Sequence, residues 1–104
     1  MNIPSKFKLV NYTWSVVMHP GPINEDGDTC HGTCCFNTRT ITLDATLDPE
    51  LLWHTWLHEL LHAILNALGR PGLNEDEGLV DSVSGALAQV YPGSNEQFAL
   101  ELAK

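Results

Sequence analysis

A segment of about 20 residues, 49–68, constrains this chain most, because it predicts one long and mostly apolar helix. Asp48 followed by Pro49 matches a helix start, with an N-cap acid and a proline in the first turn. Gly69 followed by Pro71 matches a helix stop. Apolar residues point in almost every direction around this helix, so it must be buried on most sides and the remaining chain must pack around it.

Three of the few polar residues in this helix are His58, Glu59 and His62. Residues four apart lie on one helix face, so both imidazoles can bind a single Zn²⁺. Glu59 points to the side of that pair, where it can reach a zinc-bound water. The spacing H-E-x-x-H therefore predicts a metal-dependent hydrolase with Glu59 as general base. The alternative, two structural histidines in the core, is disfavoured because a buried carboxylate needs a partner.

The next helix, predicted over 74–91, is expected to supply a third ligand. Its apolar residues recur at intervals of three and four and predict one inward stripe: Val80, Val83, Leu87 and Val90. One turn before Val80 this stripe reaches Glu77, whereas Glu75 falls off it. Two alternatives stay open. With Asn74 as N-cap, Glu77 completes a capping box that needs no metal. Asp81 is either a solvated acid or an acceptor that orients a ligand imidazole.

Composition excludes several classes of function. At 104 residues the chain predicts a single domain, 1–104. A net charge of −8 with five Lys and Arg predicts no binding to nucleic acid or to an anionic membrane. The longest apolar stretch is interrupted by His and Glu, which predicts no transmembrane helix. Residues 1–8 lack the apolar segment of a secretion signal, so a cytoplasmic location is expected. The oligomeric state is left open.

Cys30, Cys34 and Cys35 are odd in number and close together, which is a poor disulfide framework. Cys34 and Cys35 are expected to point to opposite faces of a strand, with at most one of them buried. A second zinc site from Cys30, His31 and Cys34 is a weaker alternative, because no fourth ligand is evident.

The predicted fold class is α+β, a small antiparallel sheet of about three strands packed on the H-E-x-x-H helix and a second helix. The strands are expected over 7–18, 32–36 and 39–44, with a loop over 19–32. Pro92 and Gly93 predict the end of the second helix. Beyond it, Ser94 with Gln97 matches a capping box and predicts a short C-terminal helix or tail.

The residues TITLD, LLWHTWLHELLHAIL and NEDEGLVDSV, taken together, resemble the small zincin-like metallopeptidases of phages and bacteria, which are related to the ImmA/IrrE-like peptidases and the gluzincins. The resemblance covers roughly residues 33–90. It implies a minimal zincin fold, Zn²⁺ as cofactor and a protein or peptide substrate. It also implies His58, His62 and Glu77 as ligands and Glu59 as base, with Glu75 as the fallback ligand.

Some roles stay open at this stage. The candidates for stabilising an oxyanion are His54, His19, Tyr12 and Tyr91. The edge of strand 39–44 is expected to hold an extended peptide by main-chain pairing. Two alternatives to a peptidase are a zinc-binding regulatory module without turnover and a structural zinc site.

Overall fold

The computed structural model describes residues 2–92. These residues form an α+β fold with a four-stranded sheet, a separate two-stranded hairpin and three helices. The elements in chain order are β1 Lys6–Leu9, β2 Tyr12–His19, β3 Ile23–Glu25, β4 Asp28–Cys30, β5 Gly32–Cys35, β6 Thr40–Asp44, α1 Pro49–Ala67, α2 Pro71–Asn74 and α3 Glu77–Val90.

Both predicted ends of α1 are confirmed. The Asp48 carboxylate accepts a hydrogen bond from the Leu51 amide at 3.0 Å, which caps the first turn. At the other end Gly69 adopts φ +69°, and the amides of Gly69 and Arg70 bond to the carbonyls of Asn66 and Leu65. This pair of bonds is a Schellman motif, and a left-handed residue there favours glycine.

The sheet is mixed, with strand order β1-β2-β6-β5, so the predicted antiparallel sheet of about three strands is wrong in this respect. β1 pairs antiparallel with β2 and β5 pairs antiparallel with β6, but β2 and β6 run parallel. The parallel pair arises because the chain leaves β2, forms the β3–β4 hairpin and β5, and only then returns along β6. Such a crossover leaves no short-range signal in the sequence.

The predicted strand 7–18 is two strands joined by a two-residue turn. Val10 and Asn11 both have positive φ, at 49° and 68°, as a hairpin turn of the primed type requires. The predicted loop 19–32 contains the β3–β4 hairpin, which turns at Asp26 and Gly27 with φ of 51° and 86°. The first turn escaped prediction because β-branched Val10 rarely adopts this conformation.

The core lies between α1 and one face of the sheet. Ile41 and Leu43 of β6 are fully buried, as predicted for the inward positions of that strand. The other buried apolar side chains around them come from β2 and α1: Trp14, Val16, Trp53, Trp56 and Ala63. The Phe7 ring joins the two layers, since it stacks on Trp14 and meets Trp56 edge-on.

The predictions for the second helix are confirmed only in part. α3 begins at Glu77 and its N-cap is Asp76, whose carboxylate accepts from the Leu79 amide, so the predicted capping box of Asn74 with Glu77 is wrong. Val80 is fully buried, but Val83, Leu87 and Val90 are 37–64% exposed. The buried face is rotated toward Ser84, which is fully buried and lies 3.2 Å from Nε2 of His54 on α1.

Within residues 2–92, no helix has the length and apolar character needed to cross a membrane. The predicted C-terminal element at Ser94 and Gln97 lies outside the described residues.

Gly32 lets α1 approach the edge strand β5 closely. A Cβ at this position would lie 2.8 Å from the Thr55 methyl carbon and 3.2 Å from the Cγ of Glu59. The first distance is shorter than van der Waals contact, so any side chain at this position pushes α1 away from β5.

We expect Gly32→Ala to destabilise the protein by about 1–3 kcal/mol, because the added methyl overpacks a filled site. Urea unfolding measures the change. Gly21→Ala is the control, since a Cβ there meets nothing within 4 Å. Adding Thr55→Ser should recover most of the loss, because serine lacks the clashing methyl and keeps the hydroxyl that donates to the Leu51 carbonyl. A Gly32→Ala variant as stable as the Gly21→Ala control would contradict the close approach.

Candidate metal centre

Two imidazoles of α1 meet one carboxylate of α3. The Nε2 of His58 lies 3.2 Å from Oε2 of Glu77, and the Nε2 of His62 lies 3.1 Å from Oε1 of the same residue. The rings of His58 and His62 are 5.0 Å apart between centroids, as their i, i+4 spacing on the helix requires. The structure thus brings together the three residues predicted as metal ligands.

Each imidazole has an acceptor on its other nitrogen. The Nδ1 of His62 lies 2.7 Å from Oδ1 of Asn74, and the Nδ1 of His58 lies 3.4 Å from Oδ1 of Asp81. An amide oxygen and a carboxylate only accept hydrogen bonds, so these contacts suit a proton on Nδ1. In its neutral form such an imidazole has its lone pair on Nε2, where a metal ion can bind it; without a metal ion, the Nε2 of His58 is hydrogen-bonded to Glu77.

These contacts direct one nitrogen of each ring and one carboxylate at the same small volume. One nitrogen atom of each ring and one carboxylate oxygen of Glu77 lie within 4.8 Å of one another. Lone pairs that face each other without a cation repel, so the arrangement needs a proton or a metal ion at its centre. The site can therefore bind a metal ion, with a neighbouring acceptor that fixes each imidazole, as is usual at protein metal sites.

One turn before the ligand pair, His54 extends the same line of polar contacts. Its Nε2 lies 3.5 Å from Oδ1 of Asp81 and 3.2 Å from the hydroxyl of Ser84, which donates to the Asp81 carbonyl. Asp81 thus lies between His54 and His58. His54 and Asp81 also line a cavity of about 840 Å³ between the N-terminal half of α1 and α3. Of the oxyanion candidates, His54 is the one that these contacts put beside the cluster.

Glu59 lies on a different side of α1, toward β5. It is 8% exposed, and its Cγ is the atom that a side chain at Gly32 would meet. Burial raises the pKa of the Glu59 carboxyl to about 7, the positive charge of His62 opposes this rise, and the negative charges of Glu77 and Glu25 add to it. A carboxyl that is half ionised near neutral pH can both accept and return a proton.

Other residues predicted for the site do not belong to the cluster of His58, His62 and Glu77. The metal-binding group contains Glu77 and not Glu75. Tyr12 lies in the β1–β2 hairpin beneath the Arg39 guanidinium, and His19 contacts the Gly21 carbonyl through its Nδ1. The weaker alternative of a zinc site at Cys30, His31 and Cys34 is not supported, since among residues 2–92 these ligand atoms do not form a metal-binding group.

The cysteine predictions agree with the structure in one respect. Cys34 faces the helix and is partly buried, whereas Cys35 is exposed. Burial raises the pKa of the Cys34 thiol to about 12, and the charge of Glu59 adds to this effect. Cys34 is therefore a neutral thiol that packs beside the general-base candidate.

Asn74 is the site residue whose role the sequence did not reveal. Its position three residues before Glu77 matched a capping box, yet its side chain contacts His62 instead. The short helix α2 brings it there, since the chain turns twice between α1 and α3. Ser84 was also missed, because a serine inside an apolar helix carries no distinctive signal.

Comparison of the chain with protein-family models, with curated proteins and with solved structures gave no match.

The buried carboxyl of Glu59 gives a pH prediction for the metal-free protein. The pKa of this carboxyl in the folded state, about 7, lies above the ordinary value of 4.5, so protonated Glu59 favours the folded state. Its contribution to the free energy of unfolding is fully present below about pH 4.5 and is lost as the pH rises through 7. Glu59→Gln is neutral at every pH. We expect this variant to match wild type near pH 4.5 and to exceed it above pH 8 by on the order of 3 kcal/mol.

Urea unfolding with a chelator present measures this difference across the pH range. Glu75→Gln, which removes an exposed carboxyl, serves as the control and should show no gain that grows with pH. A constant offset between Glu59→Gln and wild type at all pH values would contradict the raised pKa.

Proposed function

We propose that this chain is a zinc-dependent metallopeptidase that hydrolyses peptide bonds, with His58, His62 and Glu77 as zinc ligands and Glu59 as general base. The observation that carries the proposal is the convergence of both Nε2 atoms on the Glu77 carboxylate while Asn74 and Asp81 occupy the opposite nitrogens. Fixed lone pairs beside an anion are what a divalent cation requires.

The donor set fits zinc. Two imidazole nitrogens and one carboxylate oxygen are a ligand set of catalytic zinc sites, whereas calcium and magnesium favour oxygen ligands. Three protein ligands leave one position of a tetrahedral ion for water or substrate. The Glu77 side chain is 67% exposed, so solvent reaches this position, which favours a catalytic site over a structural one.

In the proposed reaction, the bound ion, Glu59 and His54 each have a separate role. Bound zinc supplies a Lewis acid that polarises a carbonyl and makes a water molecule acidic near neutral pH. Glu59 takes the proton from the attacking water and returns it to the departing amine, and its pKa of about 7 suits both steps. His54, beside Asp81, is the candidate that stabilises the developing oxyanion.

Peptide binding is expected at β5 and not at strand 39–44. The earlier expectation for that strand is wrong, because β6 is paired on both sides, to β2 and to β5. β5 is one of the two edge strands of the four-stranded sheet and lies against the Glu59 side of α1. An extended substrate that pairs with β5 would bring its main chain next to the general base.

The ligand assignment predicts metal binding that depends on three residues. The purified wild type should bind one zinc ion per chain, and His58→Ala, His62→Ala and Glu77→Gln should each weaken binding by tenfold or more, on the order of the effects seen at other zinc sites. Isothermal titration with zinc measures the affinity. Glu75→Gln is the matched control and should bind like wild type. Equal losses in Glu75→Gln and Glu77→Gln would refute the assignment of Glu77.

The mechanism predicts that Glu59→Gln binds zinc normally and hydrolyses peptides about 10²–10⁴-fold more slowly, because only the proton acceptor is removed. Cleavage of a mixture of unstructured peptides, followed by mass spectrometry, measures activity of the zinc-loaded protein. Full activity in Glu59→Gln would exclude it as the base. Zinc binding without cleavage of any peptide by wild type would instead favour the regulatory module.

A further inference from the structure

A groove lies between the β3–β4 hairpin and the edge strand β5. Its cavity measures about 290 Å³ and is lined by Ile23, Asn24, Glu25, Thr33, Cys34 and Cys35. Three of these residues come from β3 and three from β5, so the hairpin forms one wall and the sheet edge forms the other. The groove is wide enough for side chains and open to solvent along the edge.

The main chain of β5 is available on the groove side. In this antiparallel pair, residues that bond to the partner strand alternate with residues that point away. The Asp44 amide donates to the His31 carbonyl at 2.9 Å, and Thr33 lies opposite Thr42, so the odd residues of β5 bond to β6. The amides and carbonyls of Gly32 and Cys34 therefore face away from β6.

Glu25 puts a negative charge in this groove. It is exposed and, within residues 2–92, no cationic side chain lies within ion-pair distance of its carboxylate. The β5 wall of the groove also borders the general-base candidate, since Gly32, next in chain to Thr33, lies against the Glu59 side chain. The groove therefore opens beside the proposed reaction centre.

We propose that this groove is a substrate subsite in which Glu25 binds a cationic group of the peptide while the edge of β5 pairs with its main chain. The subsite rests on the proposed function for its place next to the scissile bond. Two sources can supply the cation, a Lys or Arg side chain and a free amino terminus, and both offer the same N–H donors to a carboxylate. The net charge of −8 favours such a substrate at long range as well.

The effect of one open ion pair is modest. Exposed pairs of this kind change an equilibrium by about two- to fivefold, and salt reduces the effect. We therefore expect a cationic peptide to bind two- to fivefold more tightly than its neutral counterpart, and Glu25→Lys to reverse the preference in favour of acidic peptides.

The test uses the full chain with Glu59→Gln, so that no probe is cleaved, and is run with and without added zinc. The probes are fluorescein-labelled alanine hexapeptides with one Lys, one norleucine or one Glu at each position in turn. One series has an acetylated amino terminus and the other a free one. Fluorescence anisotropy gives the affinities and separates the two sources of cation.

Glu25→Gln should abolish the preference for Lys over norleucine, or for the free over the acetylated terminus. Asp26→Asn is the matched control, because it removes the neighbouring charge, lies outside the groove lining and keeps a residue that tolerates φ of +51°. It should retain the preference. A preference that survives in Glu25→Gln, or a failure of all probes to bind, would overturn the proposal.

The outcomes of this binding test can be distinguished from the outcomes that test the proposed hydrolase function. If wild type cleaves no peptide yet shows a Glu25-dependent preference for cations, the subsite is real and the hydrolase assignment fails. If wild type cleaves peptides in a Glu59-dependent way with no effect of Glu25, the hydrolase stands and the subsite fails.

Discussion

Helix α3 packs on α1 partly through polar side chains, and the arrangement of the candidate site depends on these polar contacts. Glu77, Asp81 and Ser84 lie one turn apart on α3 and meet His62, His58 and His54 of α1. The apolar stripe of α3 would have rotated the helix differently, and Val83 and Val90 stay exposed as a result. These paired groups contribute to the interface, because a largely buried imidazole or hydroxyl without a partner costs more than an exposed valine.

The same contact gathers polar groups that a metal ion could bind. The Nε2 atoms of His58 and His62 both face the Glu77 carboxylate, while their Nδ1 atoms face Asn74 and Asp81. Glu59 adds a buried carboxyl whose pKa is raised. A bound divalent ion would act on both features at once, since it attracts nitrogen lone pairs and carboxylates. Groups that cost stability without a ligand are typical of sites kept for function rather than for folding.

The sequence predicted those features that depend on neighbouring residues. The limits of α1 follow from Asp48 and Gly69, and the ligand pair follows from helical spacing. Glu77 was predicted by extending an apolar stripe that is itself only partly buried, so its place in the candidate metal-binding group was reached through Val80 alone. The spacing of apolar residues indicated which side of the helix faces α1 but not the buried face itself.

What the sequence could not predict depends on long-range contacts. The parallel pairing of β2 with β6 joins segments about 25 residues apart, and it decides that β5, rather than β6, is the free edge. Asn74 reaches His62 only because α2 inserts a turn between the long helices. Each of these outcomes is set by how elements pack, for which local propensity gives no information.

The geometry of α1 separates the candidate metal ligands from the general-base candidate. Successive residues on a helix differ in direction by about 100°, so His58 faces α3 while its neighbour Glu59 faces β5. The candidate metal ligands thus contact α3, and Glu59 packs against the sheet in the space left by Gly32. One helix with two differently supported sides therefore presents both the candidate metal-binding group and a buried carboxyl, and the hairpin bearing Glu25 forms the outer wall of the groove beside β5.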